Sequence, residues 1–345
     1  MRVNGLTERE LRVLEAIVQS YVETAEPVGS RTIARRFGLG VSAATIRNAM
    51  ADLEEKGFLF HPHTSAGRVP TDRAYRLYVD TIMTEPQVSH EQRAHIRDRL
   101  SEEGSAVNSV LRRAAEVLGV LTQELGVAVA PSFDDVVLER LDLVSVTTER
   151  LLLVLTLKSG VVRTIFVHVP GHLHPDAVAK VTVVLNERLA GLTLREIRQT
   201  LGDRLRDTGA GGAESELIDI FIGTGEQIFD LPAGNDDVVL GHPSVLADQP
   251  EFASGEQMKA LMQLTEQRDV LKRILGQRSS SGSLTITIGG ENETQQLANL
   301  TLVTSPYRAG PLTGVIGVLG PTRMPYEKVV ALVEHTSQMV GQLLR

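Results

Sequence analysis

Apolar residues recur at helical spacing from the start of the chain. Leu11, Leu14, Val18, Tyr21 and Val22 share one face, and Thr7 with Glu10 makes a capping-box start. This predicts a first helix ending at about Glu23, ahead of Pro27. A second, short helix is predicted with Ser30 as N-cap, Ile33, Ala34 and Phe37 facing inward, and Gly38 as its stop. The loop Gly38-Leu39-Gly40-Val41 leads to Ser42, the N-cap of a third helix that runs to Lys56 before Gly57. Its inner stripe is Ile46, Met50 and Leu53, at i, i+4 and i+7. A short helix, a Gly-containing turn of about four residues and a second helix have the spacing of a helix-turn-helix. Phe58-Leu59-Phe60 and Arg68-Val69 then read as two strands joined by the polar turn His63 to Gly67. A hairpin in that place is a wing. Thr71 caps a further helix from Asp72 to about Met83, and Glu85-Pro86-Gln87 is the hinge out of this domain.

Beyond the hinge, Glu91 to Leu125 reads as one long or two shorter helices. Strands are predicted at Val127–Ala130, Val136–Val146, Leu151–Leu157 and Val161–Val169, with Thr148-Glu149 and Ser159-Gly160 as turns. Helices follow over Pro175–Leu189 and Thr193–Leu205, then a linker through Asp207 to Gly212, and another helix to about Phe229. Pro232 to Pro250 reads as irregular and Gly255 to Leu275 as helical. The stretch Gly276 to Gly282 has the composition of a flexible linker. Strands at Leu284–Ile288, Leu300–Thr304 and Leu312–Leu319 precede a closing helix that starts at Pro325. The fold class is therefore α+β and multidomain, with an N-terminal winged helix-turn-helix.

Composition narrows the function. With no Cys among 345 residues there is no disulfide framework, thiolate metal site or cysteine nucleophile. No run approaches the ~18 apolar residues of a membrane span, and the start of the chain lacks the apolar stretch of a signal peptide. The expectation is a cytoplasmic protein with no membrane partner. The net charge of −8 argues against a polyanionic ligand only if it is evenly spread. It is not: residues 1–80 carry eleven Arg/Lys against ten Asp/Glu, whereas the remaining 265 carry 24 against 33. Within the first segment, Pro27–Ala51 and Phe58–Thr71 contain no acid at all. An ordinary solvated face would give such clustering too, but these two windows coincide with the helix-turn-helix and the wing.

With Ile46, Met50 and Leu53 inward, the third helix turns Ala44, Thr45, Arg47, Asn48 and Ala51 outward. Arg pairs bidentately with guanine, Asn with adenine, and Ala or Thr methyls touch the thymine methyl. Small residues at 43, 44, 49 and 51 would let the backbone enter a major groove. Ser30 and Ser42, as caps, would aim helix N-termini at phosphates. Arg31, Arg35 and Arg36 are candidate phosphate contacts, and His63, Thr64 and Arg68 candidate contacts from the wing.

The blocks AEPVGSRT, SAATIRNAMADLEEKG and GFLFHPHTSAGRVPTDRAYRLYVD resemble those of the HrcA family of heat-inducible repressors, and so do IGGENETQQLANLTLVTSPYRAG and GVIGVLGPTRMPYEKVV near the C-terminus. The middle is looser; there only GHPSVLADQPEF is family-like, and Ala25 stands where the family has Gly. The resemblance implies a winged-helix domain over 1–85, a GAF-like α/β domain over 90–170 plus 280–345, and an inserted, mostly helical dimerising domain over 171–279. It implies a homodimer on double-stranded DNA carrying an inverted repeat, the CIRCE element, upstream of groE- and dnaK-type operons. It also implies the GroE chaperonin as a modulator.

Other signals point to no chemistry. His168, His172 and His174 lack the placement of a metal site, His61-Pro62-His63 belongs to the wing, and Gly289-Gly290 is not followed by the Lys-Ser/Thr of a phosphate loop. Asp134-Asp135 and Asp236-Asp237 read as exposed turn pairs, and Arg323 as a salt-bridge residue or anion ligand. No catalytic residue, cofactor or metal is expected. The alternative to a chaperonin-modulated repressor is a regulator whose GAF-like domain senses a metabolite.

Overall fold

The structure, a computed structural model, describes residues 5–63, 67–84, 87–101, 107–134, 136–158, 160–169, 171, 174–206, 212–229, 238–278, 282–310 and 312–344. The N-terminal head consists of α1 (Glu8–Thr24), α2 (Ser30–Arg36), α3 (Ala43–Glu55), β1 (Leu59–Phe60), β2 (Val69–Pro70) and α4 (Asp72–Leu77), which continues as a π-helical turn over Tyr78–Ile82. Next come α5 (His90–Leu100), α6 (Val107–Thr122), β3 (Leu125–Ser132), β4 (Leu138–Thr147), β5 (Arg150–Leu157) and β6 (Val162–His168). These are followed by α7 (Pro175–Leu189), α8 (Leu194–Arg206), α9 (Ala213–Phe229), β7 (Val238–Leu240), α10 (Gly255–Glu266) and α11 (Arg268–Arg278). The chain closes with β8 (Thr285–Ile288), β9 (Leu300–Ala309), β10 (Leu312–Pro321) and α12 (Tyr326–Leu343).

Two compact units result. One is Met1–Ala130 with Val238–Tyr307 and Gly314–Arg345; the other is Pro131–Asp237 with Arg308–Thr313. The predicted insert boundaries of 171 and 279 therefore differ from the observed division at both ends. The physical reason is where the apolar faces go. In the smaller unit β4, β5 and β6 form an antiparallel meander. Leu151, Leu153, Leu155 and Leu157 alternate onto its inner face and pack with Val181, Leu185, Ile197, Leu201 and Phe221 of α7, α8 and α9. Strands assigned by sequence to the larger domain thus share a core with the helices that follow them. Conversely Leu261, Leu264, Leu271 and Leu275 of α10 and α11 pack with Leu125, Val127 and Val238 of β3 and β7. Each leucine so covered contributes roughly 2 kcal/mol.

The larger unit holds a five-stranded sheet in the order β7-β3-β10-β9-β8. β7 lies inside the stretch read as irregular: three residues carry too little pattern to register, yet Val238 and Val239 pair antiparallel with Val129 and Ala128. Nor is the start of the Gly276–Gly282 stretch a linker. α11 runs on to Arg278, whose guanidinium donates to Leu302 O and Thr304 Oγ1 at 3.3 Å each and also to Thr287 Oγ1. Residues 279–281 lie outside the described ones.

Candidate DNA-recognition surface

Local chemistry builds α3. The Ser42 hydroxyl accepts from Thr45 N at 3.1 Å, which caps the helix and starts it at Ala43. Ile46, Ala49, Met50 and Leu53 are buried, so the helix is anchored along one stripe. Ala49 belongs to that stripe and not to the outward face. Its small side chain serves close packing within the head. Ala44, Arg47, Asn48 and Ala51 are exposed and Thr45 half-buried, which leaves two polar and two methyl side chains on one surface. Ahead of it, α2 ends at Arg36 with Phe37 as its C-cap, and the turn carries Gly38 and Gly40 at φ 54° and 70°, backbone that L side chains rarely adopt.

The wing is a three-part assembly. Phe60 pairs with Val69 and Leu59 with Pro70, and Val28 adds a bridge on the other side of Arg68 with both main-chain bonds at 2.9 Å. A Cβ on Gly67 would lie 2.5 Å from the Val28 carbonyl carbon, so only glycine lets the returning strand come this close. Pro27-Val28 of the AEPVGSRT block and Gly67-Arg68 of the wing are thus the two sides of one contact.

Several expected site residues sit differently. Ser30 is not a cap: Gly29 holds the N-cap position, and Ser30 is the first helical residue and buried. It faces the head's interior because the Val28 bridge turns the chain inward just before it. Arg36 is ion-paired with Glu23. Arg35 Nε reaches the Arg31 carbonyl at 3.4 Å, while Arg31 and Arg47 are exposed. Arg68 does not project from the wing; its Nη2 binds Glu54 Oε2 at 2.7 Å. His63 is exposed, and Thr64 lies outside the described residues.

The second set of family-like blocks also acquires a partner. In the Gly289–Glu291 turn, Gly290 N donates to Asp72 Oδ2 at 3.0 Å, and a Cβ on Gly289 would collide with that carboxylate. Arg76 Nε donates to Glu291 Oε1 at 2.8 Å and its Nη2 to Ile286 O at 2.7 Å. The Glu291 hydrogen bond pushes the Arg76 pKa up, against burial. Tyr78 OH donates to Glu327 Oε1 at 3.0 Å, and Tyr75 packs on Tyr326 with ring centroids 5.8 Å apart. Arg323 takes the salt-bridge role: it grips both oxygens of Glu251 at 2.7 and 3.0 Å and donates to Val22 O at the end of α1 at 2.7 Å. Beside it Glu124 is buried, and burial pushes its carboxyl well up, against the hydrogen bond from Gln249 and the charge of Arg323. Together these contacts fasten the head to the body of the larger unit. The dense C-terminal blocks were the visible signal for them, but their partners lie more than 200 residues away, as with Arg76 and Glu291.

Elsewhere, His174 is the N-cap of α7, accepting from Asp176 N, and His172 lies outside the described residues. Asp134 is ion-paired with Arg198, so it is not a free turn residue, and Asp135, Asp236 and Asp237 lie outside the described residues. Among the described residues no cluster of three His, Cys, Asp or Glu is arranged to hold a metal, and no helix is long and apolar enough to cross a membrane.

Three helices with a glycine turn, an exposed polar face on the third and a hairpin packed behind it make the head a winged helix-turn-helix, the class of DNA-binding transcription regulators. The LexA DNA binding domain model matches residues 3–66, and the HrcA protein C terminal domain model matches residues 108–330. The heat-inducible transcription repressor HrcA of Chlorobium phaeovibrioides (strain DSM 265 / 1930) is 39% identical over 98% of this chain and 98% of its own. That of Geobacter sulfurreducens (strain ATCC 51573 / DSM 12127 / PCA) is 35% identical over 99% of each. A crystal structure of a hypothetical protein at 2.2 Å resolution shares the fold at TM-score 0.56 and 21% identity, over 98% of this chain and 97% of that one. The chain belongs to the HrcA family of heat-inducible transcription repressors.

Proposed function

We propose that the chain represses chaperone operons of groE and dnaK type by binding the CIRCE inverted repeat as a homodimer in the cytoplasm. The observation that carries this reading is the outward face of α3, where exposed Arg47 and Asn48 stand between Ala44 and Ala51 in a window without acids. One such helix reads too few base pairs for an operator, so two copies present theirs about 34–36 Å apart on a palindrome. Arg47 and Asn48 read bases, and Arg31, Arg35 and the α3 N-terminus at Ser42 meet phosphates. The bound dimer occludes the promoter. Heat and the GroE chaperonin set how much repressor is competent to bind.

The smaller unit is the proposed dimerising domain and the strand-rich body the proposed GAF-like one. On the outer face of the smaller unit's sheet, Val144 opposes Leu152 and Leu152 opposes Phe166. Val144 is 49% and Phe166 55% exposed, a row of apolar side chains that a second copy would cover. Phe166→Asp is expected to shift the sedimentation coefficient to that of a monomer and to weaken operator binding; an unchanged dimer would refute this surface. The function itself is tested by footprinting the protein on the promoters of its own chaperone operons. Protection of an inverted repeat is expected, and no protection there would overturn the assignment. Protection that answered to a small metabolite and not to purified chaperonin would favour the ligand-sensing alternative.

A further inference from the structure

The two outer ends of the wing loop converge on one carboxylate. Glu54 lies in the last turn of α3, with its side chain 28% exposed. Its Oε2 accepts from Arg68 Nη2 at 2.7 Å and its Oε1 meets His61 Nδ1. His61 directly follows β1 and Arg68 directly precedes β2, so one side chain of the recognition helix holds both stems of the wing. Arg68 is held a second time through its main chain, by the paired bonds to Val28. A carboxylate at the edge of a polyanion-binding surface raises repulsion unless its charge is used, and here it is engaged by the Arg68 guanidinium and the His61 ring.

We propose that Glu54 is a positioning residue for operator recognition: it locks the wing to the C-terminal end of α3 and withholds Arg68 from non-specific phosphate contact. The proposal rests on the DNA-reading role of α3 given above. It follows that removing the carboxylate frees a cation next to the DNA while loosening the wing. Affinity for any duplex then rises, and preference for the operator falls.

The test is Glu54→Gln in the full chain. Binding is measured to two duplexes, the sequence recovered by selection from a random library and a scrambled version of it, across a salt series. Affinity for the scrambled duplex is expected to rise about two- to fivefold, the worth of one exposed ion pair. Its salt dependence should steepen by about 0.9 in log K per log salt, the signature of one added phosphate contact. Adding Arg68→Ala to Glu54→Gln should abolish both changes. A purely structural role would lower the melting temperature and both affinities together without steepening the salt slope. An unchanged scrambled-duplex affinity, or a gain that survives Arg68→Ala, overturns the proposal. Should Glu54→Gln not fold, Arg68→Ala alone decides: a held Arg68 predicts little change on the scrambled duplex, and a loss as large as that of Arg31→Ala refutes it. Wild-type protein that fails to prefer the selected duplex overturns the DNA reading itself, whereas normal preference with an inert Glu54 overturns only the present proposal.

Discussion

Truncating Arg323 to Ala should detach the end of α1 from the body. Its side chain is 14% exposed and makes three bonds, two to Glu251 and one to the Val22 carbonyl, all between 2.7 and 3.0 Å. Loss of one partner from a buried pair costs about 3–5 kcal/mol, because the other charge stays behind. Glu251 is 29% exposed, so water relieves part of that penalty, and about 2–3 kcal/mol is the expected loss. Arg323→Lys should recover less than half, since an ammonium cannot reproduce the two-pronged grip. The assay is urea unfolding followed by tyrosine fluorescence. With no Trp, and all five Tyr (21, 75, 78, 307 and 326) inside the larger unit, the signal reports that unit alone. A loss below about 1 kcal/mol, the range of exposed pairs, would refute the buried-junction argument.

Three further outcomes follow from the same geometry. Arg47→Ala should cost about 1–3 kcal/mol on operator DNA and little on a scrambled duplex, whereas Arg31→Ala should weaken both alike; parallel binding curves decide. Ala25 caps α1 at φ 55° and ψ 13°, so Ala25→Gly should raise stability by about 0.5–1 kcal/mol in urea titration. The buried Glu124 binds its proton more tightly folded than unfolded. The contribution of Glu124 to stability is therefore full below the ordinary carboxylate value of 4.5 and is lost as pH climbs above it toward the raised folded-state pKa. Glu124→Gln should flatten that decline, and an unchanged pH profile would show that the carboxyl is solvated.

What the sequence revealed and what it hid follow the range of the interactions. The Thr7–Glu10 capping box and the Ser42 cap are local, and both occur as read, with Thr7 N on Glu10 Oε2 at 2.7 Å. The stripe of α3 was legible because its periodicity repeats the burial of Ile46, Met50 and Leu53. Ser30 was misread as a cap because its burial depends on the Val28–Arg68 bridge, a contact across 40 residues. Arg36 and Arg68 looked like free cations because Glu23 and Glu54 sit just outside the acid-free windows that made the patch visible. The predicted insert boundary at 171 differs from the unit boundary at Pro131 because a strand's alternation tells which residues are inward without telling what they face. Leu151 to Leu157 would satisfy either core.

The fastening of the head also orders events during synthesis. The head's own core is complete once the chain has passed the π-helical turn at Ile82, but Glu291 and Glu327, which bind Arg76 and Tyr78, are made more than 200 residues later. At about 5–20 residues per second that is an interval of roughly 10–50 s. Throughout it the contacts that Glu291 and Glu327 make to the head are not yet available. Over that interval the winged helix has only its own core to rely on, until α12 brings Glu327 to the Tyr78 hydroxyl.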